Sequence, residues 1–232
     1  MKIAKNIFSG LLDLFFPSVC VACSRKLVEG EAFLCLECLA GLPKTNFCHQ
    51  PQNPVEQIFA GRFPFLNAAS FFHFSKGGGL QQILHELKYK DNGPIGIWLG
   101  ELCGNELKKS GFMKPIDVIV PVPLHPKRQR KRGYNQCLRI AKGLSHATGI
   151  DVCDDAVKRV IDNKSQTKKS RLARFENVSG IFHLEHPTLL ENRHVLLVDD
   201  LITTGATMDE CARTVLRAEG ARISIFAIGS AL

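Results

Sequence analysis

Hydrophobic positions fall into short continuous runs separated by segments of helical period. Ala68–Phe74, Asp117–Val122, Val195–Val198 and Ile223–Ile228 are apolar runs of strand length, the pattern of buried strands. Between them, Leu80, Ile83, Leu84 and Leu87 recur at helical spacing. Gly93-Pro94 opens a second apolar-rich helix, running to about Leu107, with Trp98 and a core Cys103. Leu138, Ala141 and Leu144 give a helix that ends at Gly149. Met208, Cys211, Ala212, Val215 and Leu216 mark one face of a last helix. This alternation predicts an α/β domain.

Before Ala68 the pattern changes. Ile7, Leu11, Leu14 and Phe15 share one helical face, which Pro17 terminates. Gln50–Pro54 is polar and proline-rich and reads as a linker between modules. The expected division is a small module over 1–55 and the α/β domain over 56–232. Gly77-Gly78-Gly79 lacks the Gly-Lys-Ser/Thr ending of a P-loop and reads as a flexible turn. His85 follows on the helical segment and reads as a packing or surface histidine.

Composition narrows the class of partner. The chain has 232 residues, is 45% hydrophobic, and carries a formal charge of +8 with a pI near 9.1. It can bury a proper core. The basic balance favours a polyanionic partner, either nucleic acid or a highly phosphorylated small molecule. No window reaches 18 uncharged apolar residues, so no membrane span is expected. The opening MKIAKNIFSGLLDLFF is broken by Asp13 and lacks a small-x-small cleavage site. It reads as an amphipathic helix rather than a signal peptide, and the expected location is cytoplasmic.

Nine cysteines are present, and the clearest four form Cys20-Val-Ala-Cys23 and Cys35-Leu-Glu-Cys38, eleven residues apart. Two such pairs complete a tetrahedral structural Zn2+ site, closed to catalysis because every position is a thiolate. A redox-active pair is the weaker alternative. Cys48-His49-Gln50-Pro51 has proline where a further pair would close, so Cys48 is unpaired or the remnant of a second metal site.

The densest chemistry lies in His194–Thr207, HVLLVDDLITTGAT. A buried strand runs into Asp199 and Asp200, then a loop of Thr203, Thr204, Gly205, Ala206 and Thr207, then a helix. Backbone N–H groups and threonine hydroxyls at a helix N-terminus hold phosphate. Two carboxylates just before it accept hydrogen bonds from paired hydroxyls such as those of a sugar. Two basic stretches accompany it. Five of the six residues from 127 to 132 are cationic, and they follow a strand end, where ligand-binding loops gather. The second stretch, Lys158 to Arg174, reads as a long mobile loop able to close over a ligand.

HVLLVDDLITTGAT resembles the type I phosphoribosyltransferase signature. Together with the paired C-x-x-C start, PVPLHPKRQRKRGYNQ at 121–136 and SQTKKSRLARFENVSGIF at 165–182, it makes the whole chain resemble the ComF family of competence-associated phosphoribosyltransferase-like proteins. The Cys48–Pro51 stretch departs from that pattern, since many relatives carry a second cysteine pair there. The resemblance implies a type I phosphoribosyltransferase fold, a parallel sheet flanked by helices. It implies binding of phosphoribosyl pyrophosphate with Mg2+ and displacement at the anomeric carbon. In that scheme Asp199 and Asp200 hold the ribose hydroxyls and Thr203–Thr207 cradles the 5′-phosphate. The Val122–His125 loop, Arg128 and Arg132 approach the pyrophosphate, and 158–174 forms the lid. It also implies a role in DNA uptake, with uptake proteins as partners. The alternatives are a non-catalytic factor that binds single-stranded DNA, and a sensor of phosphoribosyl pyrophosphate.

Overall fold

A computed structural model of the chain describes residues 17–90, 92–161 and 180–232. The helix expected over Ile7–Phe15 lies outside them, as does the basic segment from Lys164 to Arg174. The strands are β1 (Ala68–His73), β2 (Val118–Pro121), β3 (Val157–Arg159), β4 (Phe182–Leu184), β5 (His194–Ile202) and β6 (Arg222–Ser230). The helices are α1 (Leu36–Ala40), α2 (Pro54–Phe59), α3 (Gly79–Tyr89), α4 (Gly93–Ser110), α5 (Pro126–Arg132), α6 (Gln136–Thr148) and α7 (Ala206–Val215). No helix among the described residues is long and apolar enough to cross a membrane.

Four strands make a parallel sheet in the order β1-β6-β5-β2. Val152 adds a single parallel bridge to Ile119, outside β2. The chain therefore steps toward one edge from β2 to Val152 and toward the other from β5 to β6. Right-handed crossovers put the intervening helices, α6 and α7, on opposite faces. The direction reverses between β2 and β5, and the crevice beyond their carboxyl ends is where such sheets bind ligands. Asp117 helps fix this pair of strands, its Oδ2 accepting from the backbone N–H of His194 at 2.7 Å.

Both faces of the sheet are covered, so its strands are apolar throughout. Val195, Leu196, Leu197 and Val198 are fully buried, as are Ile225, Phe226, Ala227 and Ile228. On the α6 face, α4 and α6 cross at backbone contact distance. A Cβ on Gly143 would lie 1.9 Å from the Ile97 carbonyl oxygen and 2.8 Å from Gly100 Cα. Only glycine permits that approach.

The cysteine module docks on the outer edge of β1. Lys44 bridges Phe72, Thr45 N–H donates to the Phe71 carbonyl at 3.0 Å, and the Phe33 ring meets Trp98 of α4 at a tilt, with centroids 5.7 Å apart. The stretch expected to be a linker is anchored at Asn53. That side chain caps α2 by accepting from Val55 and Glu56 N–H, and it donates to the Ala68 carbonyl at 2.8 Å. An N-cap of this kind contributes about 1 kcal/mol.

Two expectations change. The run from Lys127 to Arg132 forms helix α5 rather than a loop. Pro126 supplies its first turn, His125 Nδ1 accepts from Lys127 N–H at 3.3 Å, and Gly133 (φ +81) ends it. Lys158 and Arg159, which open the stretch expected to be a long mobile loop, belong instead to β3, paired antiparallel with β4. The residues between 162 and 179 are outside the described set.

Candidate functional site

The acids are part of β5, which the sequence pattern ends at Val198. Pairing with β6 continues through Asp199↔Ala227, Leu201↔Gly229 and Ile202↔Ser230. Both carboxylates are thus carried on sheet backbone at the reversal crevice. Asp199 is part-buried and Asp200 is only 4% exposed. Asp199 Oδ1 accepts from Asp200 N–H at 2.8 Å and from the Cys137 thiol at 3.2 Å. Burial, and then the neighbouring Asp200 charge, pushes the Asp199 carboxyl up to about 6. Burial likewise holds Cys137 well above the usual thiol range, reinforced by both acids, so it is a thiol and a donor.

Asp200 faces a cation that sequence reasoning did not single out. Lys88 Nζ, at the end of α3, lies 2.9 Å from Asp200 Oδ2, with its side chain 21% exposed. Burial alone would lower the Lys88 pKa, but Asp200 and Asp199 more than offset it, and the amine stays protonated. The 2.9 Å contact is a charge-assisted pair that engages Asp200 Oδ2, and the remaining lone pairs of the two carboxylates are what a ligand hydroxyl could use.

The loop that follows is fixed from the opposite face. Gly205 has φ +76 and precedes Ala206, the first residue of α7. A Cβ there would come 2.8 Å from Ile58 Cγ2 and 2.9 Å from Phe59 Cε1, both on α2. Thr204 Oγ1 accepts a long bond from Ala206 N–H at 3.4 Å. Arg62 Nη1 donates to the Thr204 carbonyl at 3.1 Å, and Arg213 donates to the Arg62 carbonyl at 2.5 Å. Thr203, Thr204 and Ala206 remain outside the core, with Thr207 partly so. The first-turn N–H groups of an α-helix lack intrahelical partners, so this loop can receive an anion beside the acids.

The Gly133-Tyr134-Asn135-Gln136-Cys137 stretch ties the third side of the site together. Asn135 caps α6 by accepting from Cys137 N–H at 3.0 Å and donates to the Val122 carbonyl at 3.1 Å. Val122 N–H in turn donates to the Val198 carbonyl at 2.8 Å, locking the β2 exit to β5. Tyr134 donates from its hydroxyl to the Leu87 carbonyl at 2.5 Å, holding the end of α3 and hence Lys88. Arg132 donates to Gln136 Oε1 at 2.9 Å, and its guanidinium lies 5.2 Å from the Tyr89 ring. Arg128 is on the same short helix, one turn earlier. Asp199, Asp200 and the Thr203–Thr207 loop are therefore contiguous. The basic helix stands beside them through Tyr89, the neighbour of Lys88.

The four module cysteines form the one metal-ligand cluster among the described residues, with all Sγ atoms within 4.8 Å of one another. Tetrahedral Zn–S bonds of about 2.3 Å put sulfurs roughly 3.8 Å apart. Cys23 and Cys35 Sγ lie 3.8 Å apart. Burial raises the Cys20 thiol pKa, but the backbone N–H groups of Cys35, Cys23 and Ala22 outweigh it and bring the value down to about 6. The set fits one structural zinc, with Cys20, Cys23, Cys35 and Cys38 as ligands. Cys48 is separate, half-buried near Ser110 and Glu106. Among the described residues no comparable cluster surrounds the acids.

Residues 134–231 match the phosphoribosyl transferase domain, and residues 11–62 match the double zinc ribbon domain. Fold and matches together define a phosphoribosyltransferase-type sheet with an N-terminal zinc ribbon. The DNA utilization protein YhgH of Salmonella typhimurium is 28% identical over 221 residues, 94% of this chain and 92% of the relative. Competence protein F of Haemophilus influenzae is 32% identical over 131 residues, 56% of this chain and 57% of the relative. Competence protein ComFC of Bacillus subtilis is 31% identical over 112 residues, 48% of this chain and 43% of the relative. The domain match and the names of these relatives support a ComF-family protein.

Proposed function

We propose that the chain binds phosphoribosyl pyrophosphate with Mg2+ and transfers its phosphoribosyl group to an acceptor, within DNA uptake or use in the cytoplasm. The observation that carries this reading is the adjacent acid pair, Asp199 and Asp200, held on β5 with only Leu201 and Ile202 between it and the Thr203–Thr207 loop that opens α7. Asp199 and Asp200 accept the two ribose hydroxyls, and the N–H groups and hydroxyls of Thr203–Thr207 take the 5′-phosphate. Arg128 and Arg132 on α5 face the pyrophosphate side. Mg2+ supplies charge neutralisation on the pyrophosphate oxygens. The protein positions the ribose and excludes water, and cationic groups favour the departing charge. No side-chain base is required.

The names of the relatives support placing this activity in DNA uptake. They also favour a second reading, in which the chain is a single-stranded DNA-binding factor or a phosphoribosyl pyrophosphate sensor without turnover. The +8 charge suits such a role. The proposed architecture is a zinc module over 1–55 serving a phosphoribosyltransferase domain over 56–232. Pyrophosphate release from phosphoribosyl pyrophosphate, measured against a panel of acceptors, tests transfer. Binding of a labelled single strand across a salt series tests the second reading, which requires affinity that falls steeply with salt.

A further inference from the structure

The zinc ribbon match ends at Arg62, and the residues before it fix where that arginine stands. α2 ends at Phe59, Gly61 turns the backbone at φ +74, and Arg62 N–H donates to the Phe59 carbonyl at 3.0 Å. From α7, Arg213 Nη2 donates to the Arg62 carbonyl at 2.5 Å, while its Nε is held by Asp209 at 2.7 Å. The Arg62 guanidinium lies 6.0 Å from the Phe59 ring centroid, within reach of a cation–π contact. Backbone and side chain of Arg62 are thus both set against the start of α7.

The side chain ends on the loop beside the acids. Its Nη1 donates to the Thr204 carbonyl at 3.1 Å. In a continuous helix that carbonyl would accept from the N–H four residues on, at Met208. Here the first such bond among the described residues runs from Asp209 N–H to the Gly205 carbonyl at 2.9 Å. Arg62 supplies the donor that the helix does not.

The direction of one carbonyl decides the direction of the next N–H. A trans peptide is planar, and its C=O and N–H point opposite ways. Holding the Thr204 carbonyl toward Arg62 therefore aims Gly205 N–H away from Arg62. Glycine at 205 also makes this peptide easy to turn over. A flip changes ψ of Thr204 and φ of Gly205 together, and glycine accepts φ of either sign. The flipped peptide would put a carbonyl oxygen where an anion needs a donor.

We infer that Arg62 is a positioning residue of the anion loop, locking the Thr204–Gly205 peptide with its N–H toward the 5′-phosphate of the bound sugar. The inference rests on the proposed phosphoribosyl reading, in which this loop takes that phosphate. Arg62 acts through Thr204 and touches no reacting atom. It makes the segment that closes the zinc ribbon match a structural part of the sugar-phosphate site.

The test uses the full, zinc-loaded chain and its Arg62→Met and Arg62→Lys variants, labelled with nitrogen-15 and titrated with phosphoribosyl pyrophosphate and Mg2+. Arg62→Met should weaken binding about tenfold or more, the loss expected for one charge-assisted hydrogen bond. The ratio of the two affinities should persist in 1 M salt, where a Debye length of about 3 Å screens a simple charge effect. Ligand should shift the Gly205 amide signal strongly in the unaltered chain and weakly in Arg62→Met. Arg62→Lys, which keeps a donor of similar reach, should recover part of both the affinity and the shift. Equal affinity in the unaltered chain and Arg62→Met, a loss that vanishes in high salt, or an equal Gly205 shift in the two proteins overturns the positioning role alone. Absence of binding by the unaltered chain overturns that role together with the reading beneath it.

Discussion

Lys88 Nζ stands 2.9 Å from Asp200 Oδ2, joining the end of α3 to the end of β5 across the mouth of the candidate site. The pair is mostly buried, with side-chain exposures of 21% and 6%. Removing one member of such a pair leaves an uncompensated charge. Lys88→Met should cost about 2–4 kcal/mol of stability, below the range for fully buried pairs because Lys88 is partly exposed. Adding Asp200→Asn to Lys88→Met should recover part of that loss, with a coupling of about 1–3 kcal/mol in a double-mutant cycle by urea unfolding. Strict additivity would mean the two groups do not interact in solution.

Asp199 makes a prediction of opposite sign. Its folded-state pKa, raised from 3.8 to about 6, favours the protonated form. The associated stability is present below pH 4 and is lost as pH rises through about 6. The unaltered protein should therefore lose stability between pH 4 and 6 relative to Asp199→Asn. At pH 7.5 the asparagine variant should be more stable by up to about 3 kcal/mol, while failing to bind the sugar phosphate. Thermal melts of both proteins across that range read the difference. A variant that is less stable at pH 7.5 contradicts the burial-driven shift.

Gly205 answers to two constraints at once. Alanine there meets φ +76 and Cβ contacts of 2.8 and 2.9 Å to Ile58 and Phe59. Phe59 is fully buried and has little room to move. Gly205→Ala should cost about 2–4 kcal/mol, from a left-handed backbone plus overpacking. It should also weaken phosphate binding, because the loop must shift. Melting temperature and sugar-phosphate affinity, measured together, check both effects.

Zinc content gives a direct count. One metal per chain is expected, from the single four-cysteine cluster among the described residues. Chelation should open the module from its cysteines toward the Gln50–Pro54 stretch, seen as new protease cuts there. Cys48→Ser should leave the zinc count unchanged, since Cys48 stands apart from the cluster. Two zinc ions per chain would require ligands beyond those four.

Much of the site was legible because its parts are contiguous in the chain. HVLLVDDLITTGAT carries strand, acids, anion loop and helix within one local stretch, and the C-x-x-C pairs carry their own spacing. Lys88 was not legible, because nothing in HELKYK marks which lysine turns toward β5; its role depends on Tyr134 holding the Leu87 carbonyl. Arg62 was missed for the same reason, since it braces Thr204 from 142 residues away. The basic run at 127–132 was noticed for its charge, but its helical form follows from His125, Pro126 and Gly133 at its ends. The strand extends past Val198 because Asp199, Leu201 and Ile202 pair with β6, a partner that local hydrophobicity cannot register.

The central claim is that Asp199 and Asp200 capture the ribose hydroxyls of phosphoribosyl pyrophosphate. Titration calorimetry with Mg2+ present, on the zinc-loaded chain and on Asp199→Asn/Asp200→Asn, tests it most directly. Two charge-assisted hydrogen bonds at about 1.5 kcal/mol or more each predict an affinity loss of at least about a hundredfold. Circular dichroism and zinc content should stay intact. One-to-one binding in the unaltered protein that collapses in the double variant is the expected result. Equal affinity in the two proteins would contradict the account.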